Sequence, residues 1–139
     1  MNAGIDVSTQ LLKSDYKFGP TGSDTVDDAP LTAAGNATTF GAGNFDAGVT
    51  VFRYLDSTGK AVLLEDVAYQ TFKTKGTELY CYERRGPLYE DQWAAADVFN
   101  AAIVVTDHPQ PPADMGGYMK ATIPLGVQDF VVDGVVAGA

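Results

Sequence analysis

Between Tyr118 and Leu125 apolar and polar side chains alternate without a break. Met119, Ala121, Ile123 and Leu125 share one face, and Tyr118, Lys120 and Thr122 share the other. A period of two predicts a strand with Met119, Ala121, Ile123 and Leu125 turned inward. Pro124 within it implies an edge or a bulge. The same pattern predicts a strand at 77–84, TELYCYER, with Leu79 and Cys81 opposed to Tyr80 and Tyr82. It predicts another at 97–106, with Phe99, Ile103 and Val105 on one face. Residues 49–55, VTVFRYL, are β-branched or aromatic at most positions and stop at the turn cluster DSTG. Both faces of that strand carry bulk, which implies that both are covered. Weaker patterns predict strands at 9–18 and 37–40. The tail from Val127, apolar and glycine-spaced, reads either as a last strand or as an arm on a partner.

Only 64–75, LEDVAYQTFKTK, repeats at helical spacing, which puts Leu64, Val67, Ala68 and Phe72 on one face. Glu65 and Asp66 near its start and Lys73 and Lys75 near its end suit the helix dipole. Gly76 is a natural stop. A short amphipathic helix of this kind packs on a sheet.

Two segments break the pattern. Residues 107–117, DHPQPPADMGG, form a proline-rich loop. Residues 19–48 hold six glycines, two prolines, four aspartates and no lysine or arginine. Their large apolar residues are Val26, Leu31, Phe40 and Phe45. Long irregular segments are uncommon in compact domains and are usually functional or disordered. The expectation is one β-rich domain over 1–139, with one flanking helix and a long irregular arm near its start.

Charge changes the picture next. The chain has 9 Lys plus Arg against 18 Asp plus Glu, a formal net charge of −9. That opposes tight nonspecific binding to nucleic acid or anionic lipid. The single cysteine, Cys81, cannot close an internal disulfide, which suits a reducing compartment. No signal peptide is visible at the start, and no apolar run is long enough for a membrane helix. Synthesis in a cytoplasm as a soluble chain is the expectation, which makes the sequon at Asn36 a chance match.

Candidate chemistry is sparse. His108, the one histidine, precedes a proline and reads as an exposed loop residue rather than a base. Cys81 reads as a small buried hydrophobe rather than a nucleophile. Asp24, Asp27 and Asp28 lack the spacing of a calcium loop, and one histidine with one cysteine builds no ordinary zinc site. GAGNF at 41–45 is no nucleotide loop. Nothing marks Glu78, Glu83 and Glu90 as an acid–base pair. The expectation is no enzyme, no cofactor and no metal. Phe52, Tyr54, Tyr80 and Tyr82 offer a stacking surface, but no basic stripe accompanies them, so core or subunit interface is the better reading.

Three blocks, VTVFRYLDSTGKA (49–61), EDVAYQTFKTKGTELYCYERRGP (65–87) and VVTDHPQPPADMGGYMKATIPLGVQ (104–128), together resemble the tail tube, or major tail, proteins of long-tailed bacteriophages. GPTGSDTVDDAP ahead of them fits the opening of that family. The sequence departs at 94–97, AAAD, where the resemblance leads one to expect a Gly-Asp turn. The resemblance implies a β-sandwich or barrel-like fold with one flanking helix. It implies rings of six copies stacked into a tube that conducts DNA without specific binding, and no catalytic residues. It implies a place in the virion tail and other tail proteins as partners: tape measure, tail terminator and distal tail. Val26, Leu31, Phe40 and Phe45 are then candidate anchors of an assembly arm, and Phe52, Tyr54, Tyr80 and Tyr82 candidate interface residues. The alternative is a β-sandwich binding module, such as a virion decoration or carbohydrate-binding domain.

Overall fold

A computed structural model of the chain describes residues 4–29, 31, 34–35, 37–112, 116 and 118–138. Asn36 of the sequon and part of the proline-rich loop lie outside them. The order of elements is β1 (Lys17–Thr21), β2 (Thr25–Asp28), β3 (Ala37–Phe40), β4 (Asn44–Phe52), α1 (Val67–Phe72), β5 (Glu78–Arg85), β6 (Val98–Thr106) and β7 (Lys120–Val135). The fold is mainly β, with one short α-helix. Five strands form an antiparallel sheet in the order β1-β4-β7-β6-β5, and β2 and β3 form a two-stranded sheet.

The organising element is β7, sixteen residues long. Its first half pairs with β4, from Phe52 opposite Lys120 to Ala47 opposite Leu125. Its second half pairs with β6, from Thr106 opposite Leu125 to Val98 opposite Val135. The tail beyond 126 is thus a continuation of the 118–125 strand. Pro124 sits where the partner changes. Its carbonyl accepts the Asp107 N–H, so the side on which its own N–H is missing faces the loop after β6.

The sheet curls on itself. Tyr16, just ahead of β1 at one edge, donates its hydroxyl hydrogen to the Glu83 carboxylate on β5 at the other. Burial and that hydrogen bond raise the Tyr16 phenol pKa well above its ordinary value. The curl encloses Val51, Val104 and Ile123, all fully buried, with Val49, Ala121 and Leu125 beside them. Ala68 and Phe72 of α1 close the same core.

Four expectations need correction. Residues 9–18 are mostly not a strand: two 3-10 turns, Ser8–Gln10 and Lys13–Asp15, precede β1. These turns are held by specific bonds: Gln10 Oε1 accepts the Ala68 N–H at 2.8 Å, Leu12 N–H reaches the Thr50 carbonyl at 2.8 Å, and Thr50 bonds Asp15. The helix is half as long as its periodicity predicts, and Leu64, 91 % exposed, is not on its core face. Asp66 is the N-cap, with a non-helical ψ of 35°, and its carboxylate is turned to Arg53, so the helix begins only at Val67. Met119 is exposed rather than inward, at the end of the β4/β7 ladder, where its carbonyl still accepts the Arg53 N–H at 2.9 Å.

Residues 19–48 are less irregular than expected: among the described residues, strands take up 19–21, 25–28, 37–40 and 44–48. The β1/β4 ladder pairs Lys17 with Gly48 and Thr21 with Asn44; the β2/β3 ladder pairs Thr25 with Phe40 and Asp28 with Ala37. Partner numbers add to 65 in both, so the two ladders are one hairpin without a slipped residue. Between them Asp24 keeps two backbone bonds, donating to the Ala42 carbonyl at 2.9 Å and accepting from the Gly41 N–H at 2.6 Å, and Asn44 Nδ2 bridges to the Gly22 carbonyl and the Asp24 carboxylate, both at 3.0 Å. Thr38 Oγ1 then donates to Asp27 across the far ladder at 2.7 Å. Threonine, valine and phenylalanine supply the extended preference, and no apolar face is needed because the base is anchored in the main sheet.

Candidate assembly surfaces

The far part of this hairpin is exposed on both faces: every residue of β2 and β3 is open, with Val26 at 61 % and Phe40 at 75 % exposure. Leu31, near the tip, is fully exposed. Phe45 is different. It stacks on Phe130 with centroids 5.0 Å apart and meets Phe18 edge-on at 5.1 Å, so it anchors the base of the hairpin within its own chain.

A second surface is the outer face of β5, β6 and the far half of β7. Register places Tyr80, Ile103 and Asp129 in one row and Tyr82, Ala101 and Val131 in the next. Tyr80 and Tyr82 are 65 % and 61 % exposed, while Leu79 and Cys81 turn to the core as alternation predicts. The core side of β6 is Asn100, Ala102, Val104 and Thr106, so Phe99, Ile103 and Val105 belong to the outer face. Beside this face run two strand edges without a strand partner among the described residues: the outer edge of β5, and β7 beyond Leu125 on its β4 side. Such edges are templates for pairing with another chain.

A third surface is built by a residue the sequence reading did not single out. Arg84, with its side chain only 7 % exposed, sits inside the loop 86–97. It donates to the carbonyls of Leu88, Asp91 and Gln92 at 2.5, 2.8 and 2.9 Å, and pairs with Asp97 at 3.4 Å. Trp93 lies over its guanidinium. Leu88, Tyr89 and Trp93 are displayed outward from this frame. The loop closes at 94–97, where Ala96 takes a φ of 69°, the conformation that favours the glycine missing there. Nothing in hydrophobic periodicity signals Arg84; the only hint is its place before Gly86-Pro87.

The opposite end of the molecule carries Leu63, Leu64, Tyr118 and Met119, all exposed. Phe52 is half-buried there and meets Tyr118 edge-on at 6.2 Å. Tyr54, also half-buried, donates its backbone N–H to Asp66 at 3.0 Å. Asp66 is fully buried and receives Arg53 at 3.1 and 3.2 Å and Gln70 at 3.0 Å. Burial alone would raise its pKa. The hydrogen bonds from Arg53, Tyr54 and Gln70 and the Arg53 charge outweigh that and hold it below the usual carboxylate range.

The candidates for chemistry do not converge. His108 lies in the loop after β6, its N–H donated to Asp107. Cys81 is half-buried, and burial pushes its thiol up. Glu83 is engaged by Tyr16 and Arg85, Glu78 by Tyr80, and Glu90 is exposed in the loop 86–97. Among the described residues no three acidic, histidine or cysteine side chains gather as a metal site, and no helix is long and apolar enough to cross a membrane. What the surface offers is apolar area and open strand edges.

A family model described as phage tail tube protein matches residues 1–139, the whole chain. No curated protein and no solved structure matches it. The chain belongs to the phage tail tube protein family.

Proposed function

We propose that the chain assembles into rings of six copies, and that the rings stack into the hollow tail tube through which DNA leaves the particle. The whole-chain family match carries this reading. The surfaces support it: an apolar outer face on β5–β7 beside open strand edges suits burial against further copies. Tyr80 and Tyr82 join the copies within a ring, together with Phe52 and Tyr54 near the other end of the sheet. The hairpin β2–β3, with Val26, Leu31 and Phe40 and its base held by Phe45, is the assembly arm. A ring of six has a formal charge of −54, six times the −9 of one chain. A negative lumen repels phosphate and lets DNA pass without sticking. The chain works as a structural protein without catalysis, as a single domain over 1–139. It is assembled in the host cytoplasm, with tape measure, tail terminator and distal tail proteins as its other partners.

Size-exclusion at rising concentration followed by negative-stain imaging tests this. Rings or tubes are expected. Discrete small particles at all concentrations would overturn the reading and favour a binding module.

A further inference from the structure

The outer face of β5–β7 holds a shallow groove of about 260 Å³, lined by Tyr80, Tyr82, Phe99, Ala101, Ile103 and Val131. Ala101 is a low floor between taller neighbours. Phe99 rests on Gly134, where a Cβ would come within 2.7 Å of its ring, and it meets Tyr82 and Trp93 edge-on at 6.0 and 6.1 Å. The result is a row of aromatic side chains beside small residues, and Tyr80, Tyr82 and Trp93 are at least half exposed. Asp129 also borders the groove and has no ion-pair partner among the described residues.

Aromatic-lined grooves take proline-rich chain in its extended form, because such chain is stiff beforehand and loses little freedom on docking. This protein carries such a segment. Pro109-Gln110-Pro111-Pro112 has three prolines in four residues. Each proline fixes φ near about −65°, and His108, Gln110 and Pro111 each precede a proline and are held extended. Gln110 is tied to Thr122 by two backbone bonds, at 2.7 and 2.9 Å, and Pro111 is exposed. The bridge is antiparallel, so Pro112 runs toward Lys120. Lys120 has no ion-pair partner among the described residues, and it complements Asp129 in charge.

The segment and the groove do not meet within one chain. Thr122, which holds Gln110, and Asp129 lie on the same strand, about 23 Å apart at ~3.3 Å per residue. Two different patches that match each other make a heterologous contact, which closes into a ring when the rotation allows.

We propose that the Pro109–Pro112 segment of one copy docks in the groove formed by Tyr80, Tyr82 and Phe99 of its neighbour, with Lys120 facing Asp129. The proposal rests on the tube reading and names the segment that the tyrosines receive. Pro111 lies over Ala101 between the aromatic rings. The Tyr82 hydroxyl, which makes no hydrogen bond among the described residues, donates to a carbonyl that the extended segment leaves free.

Cysteine cross-linking tests the pairing. In a Cys81→Ala background, Pro111→Cys with Val131→Cys leaves the tyrosines intact and places one thiol on the segment and one beside the groove. A short bismaleimide applied to rings should give a covalent ladder that ends at six copies, and either cysteine alone should give none. Rings that form without the ladder would overturn the pairing. A double-mutant cycle checks it without cysteines. Pro111→Ser and Tyr82→Ser should each raise the concentration needed for rings by about fivefold or more and leave the urea midpoint of the free subunit unchanged. Together they should raise it by less than the product of the two effects, because one contact is lost only once. Effects that multiply in full would show that the two residues do not meet. A wild-type chain that forms no rings at any concentration overturns the tube reading itself, an outcome distinct from rings that lack this link.

Discussion

Replacing Arg53 by methionine tests whether the buried ion pair fixes the turn between β4 and α1. Asp66 is fully buried, and Arg53 reaches it with both Nε and a terminal nitrogen, the latter at 3.1 Å, while its guanidinium lies 3.5 Å from the centre of the Tyr69 ring. Methionine keeps much of the stem and removes every bond that the guanidinium makes to Asp66. The carboxylate then retains only the Tyr54 N–H and Gln70. Removing one partner of a buried pair destabilises by about 3–5 kcal/mol. That is a large share of the ~5–15 kcal/mol of a typical domain. The loss has a pH signature. In the wild type the folded Asp66 pKa lies below its unfolded value of about 3.9, so the stabilisation is fully present above that value and fades as pH falls through the folded pKa. In Arg53→Met the guanidinium's hydrogen bond and charge no longer offset burial, so the folded pKa rises from its wild-type position. The variant is therefore penalised most at neutral pH and least in acid, where the carboxyl is protonated. Urea unfolding of the free subunit at pH 7 and pH 4 reads both terms. The double variant Arg53→Met with Asp66→Leu should recover most of the loss, because an apolar replacement leaves no buried charge. A loss under about 1 kcal/mol at pH 7, or an equal loss at both pH values, would refute the reasoning.

Phe72→Ala should destabilise by about 3–5 kcal/mol, since Phe72 is 5 % exposed and closes the core from α1; a loss below about 1 kcal/mol in urea unfolding would show that α1 is dispensable to the core. Ala96→Gly should stabilise by about 1 kcal/mol, because Ala96 holds a positive φ that a side chain resists; an unchanged or lower midpoint would place the strain elsewhere. In an assembled tube, Asp and Glu on the inner wall should outnumber Lys and Arg, and a positive wall seen by electron cryomicroscopy would sink the repulsion argument for DNA passage.

Legibility followed the period. Where alternation was unbroken, the sides of the strand were readable in advance: Leu79 and Cys81 against Tyr80 and Tyr82, and Ala121, Ile123 and Leu125 inward. It failed where one side-chain contact overrode local pattern. Leu64 has helical spacing from Ala68, but Asp66 is committed to Arg53, thirteen positions back in the chain, and the helix starts only at Val67. Arg84 was invisible for the same reason: its carbonyl partners lie in a loop with no periodicity, and only folding gathers them. On β6 the alternation was readable but not its direction. The buried side carries Asn100 and Thr106 beside Ala102 and Val104, while Phe99 and Ile103 stay on the outer one.

The hairpin shows a subtler limit. A strand signals itself in sequence by burying one face, and β2 and β3 bury neither, so glycine, aspartate and threonine there look like loop. Their order comes from the ladder at their base, whose register they inherit without a slip. Burial therefore cannot be why 25–40 holds its shape, and Val26 and Phe40 gain nothing from it in the isolated chain. Fixing a residue's backbone opposes folding by about 1–2 kcal/mol, so an exposed extension of this length stays only marginally ordered on hydrogen bonds alone. A partner that covers those two side chains removes the imbalance. Assembly should then tighten the hairpin more than the sheet that carries it. Amide exchange compared between free subunits and tubes should show the largest gain in protection at 25–28 and 37–40. Equal gains over β4 and β7 would mean that assembly orders the whole domain and that the hairpin has no special part in it.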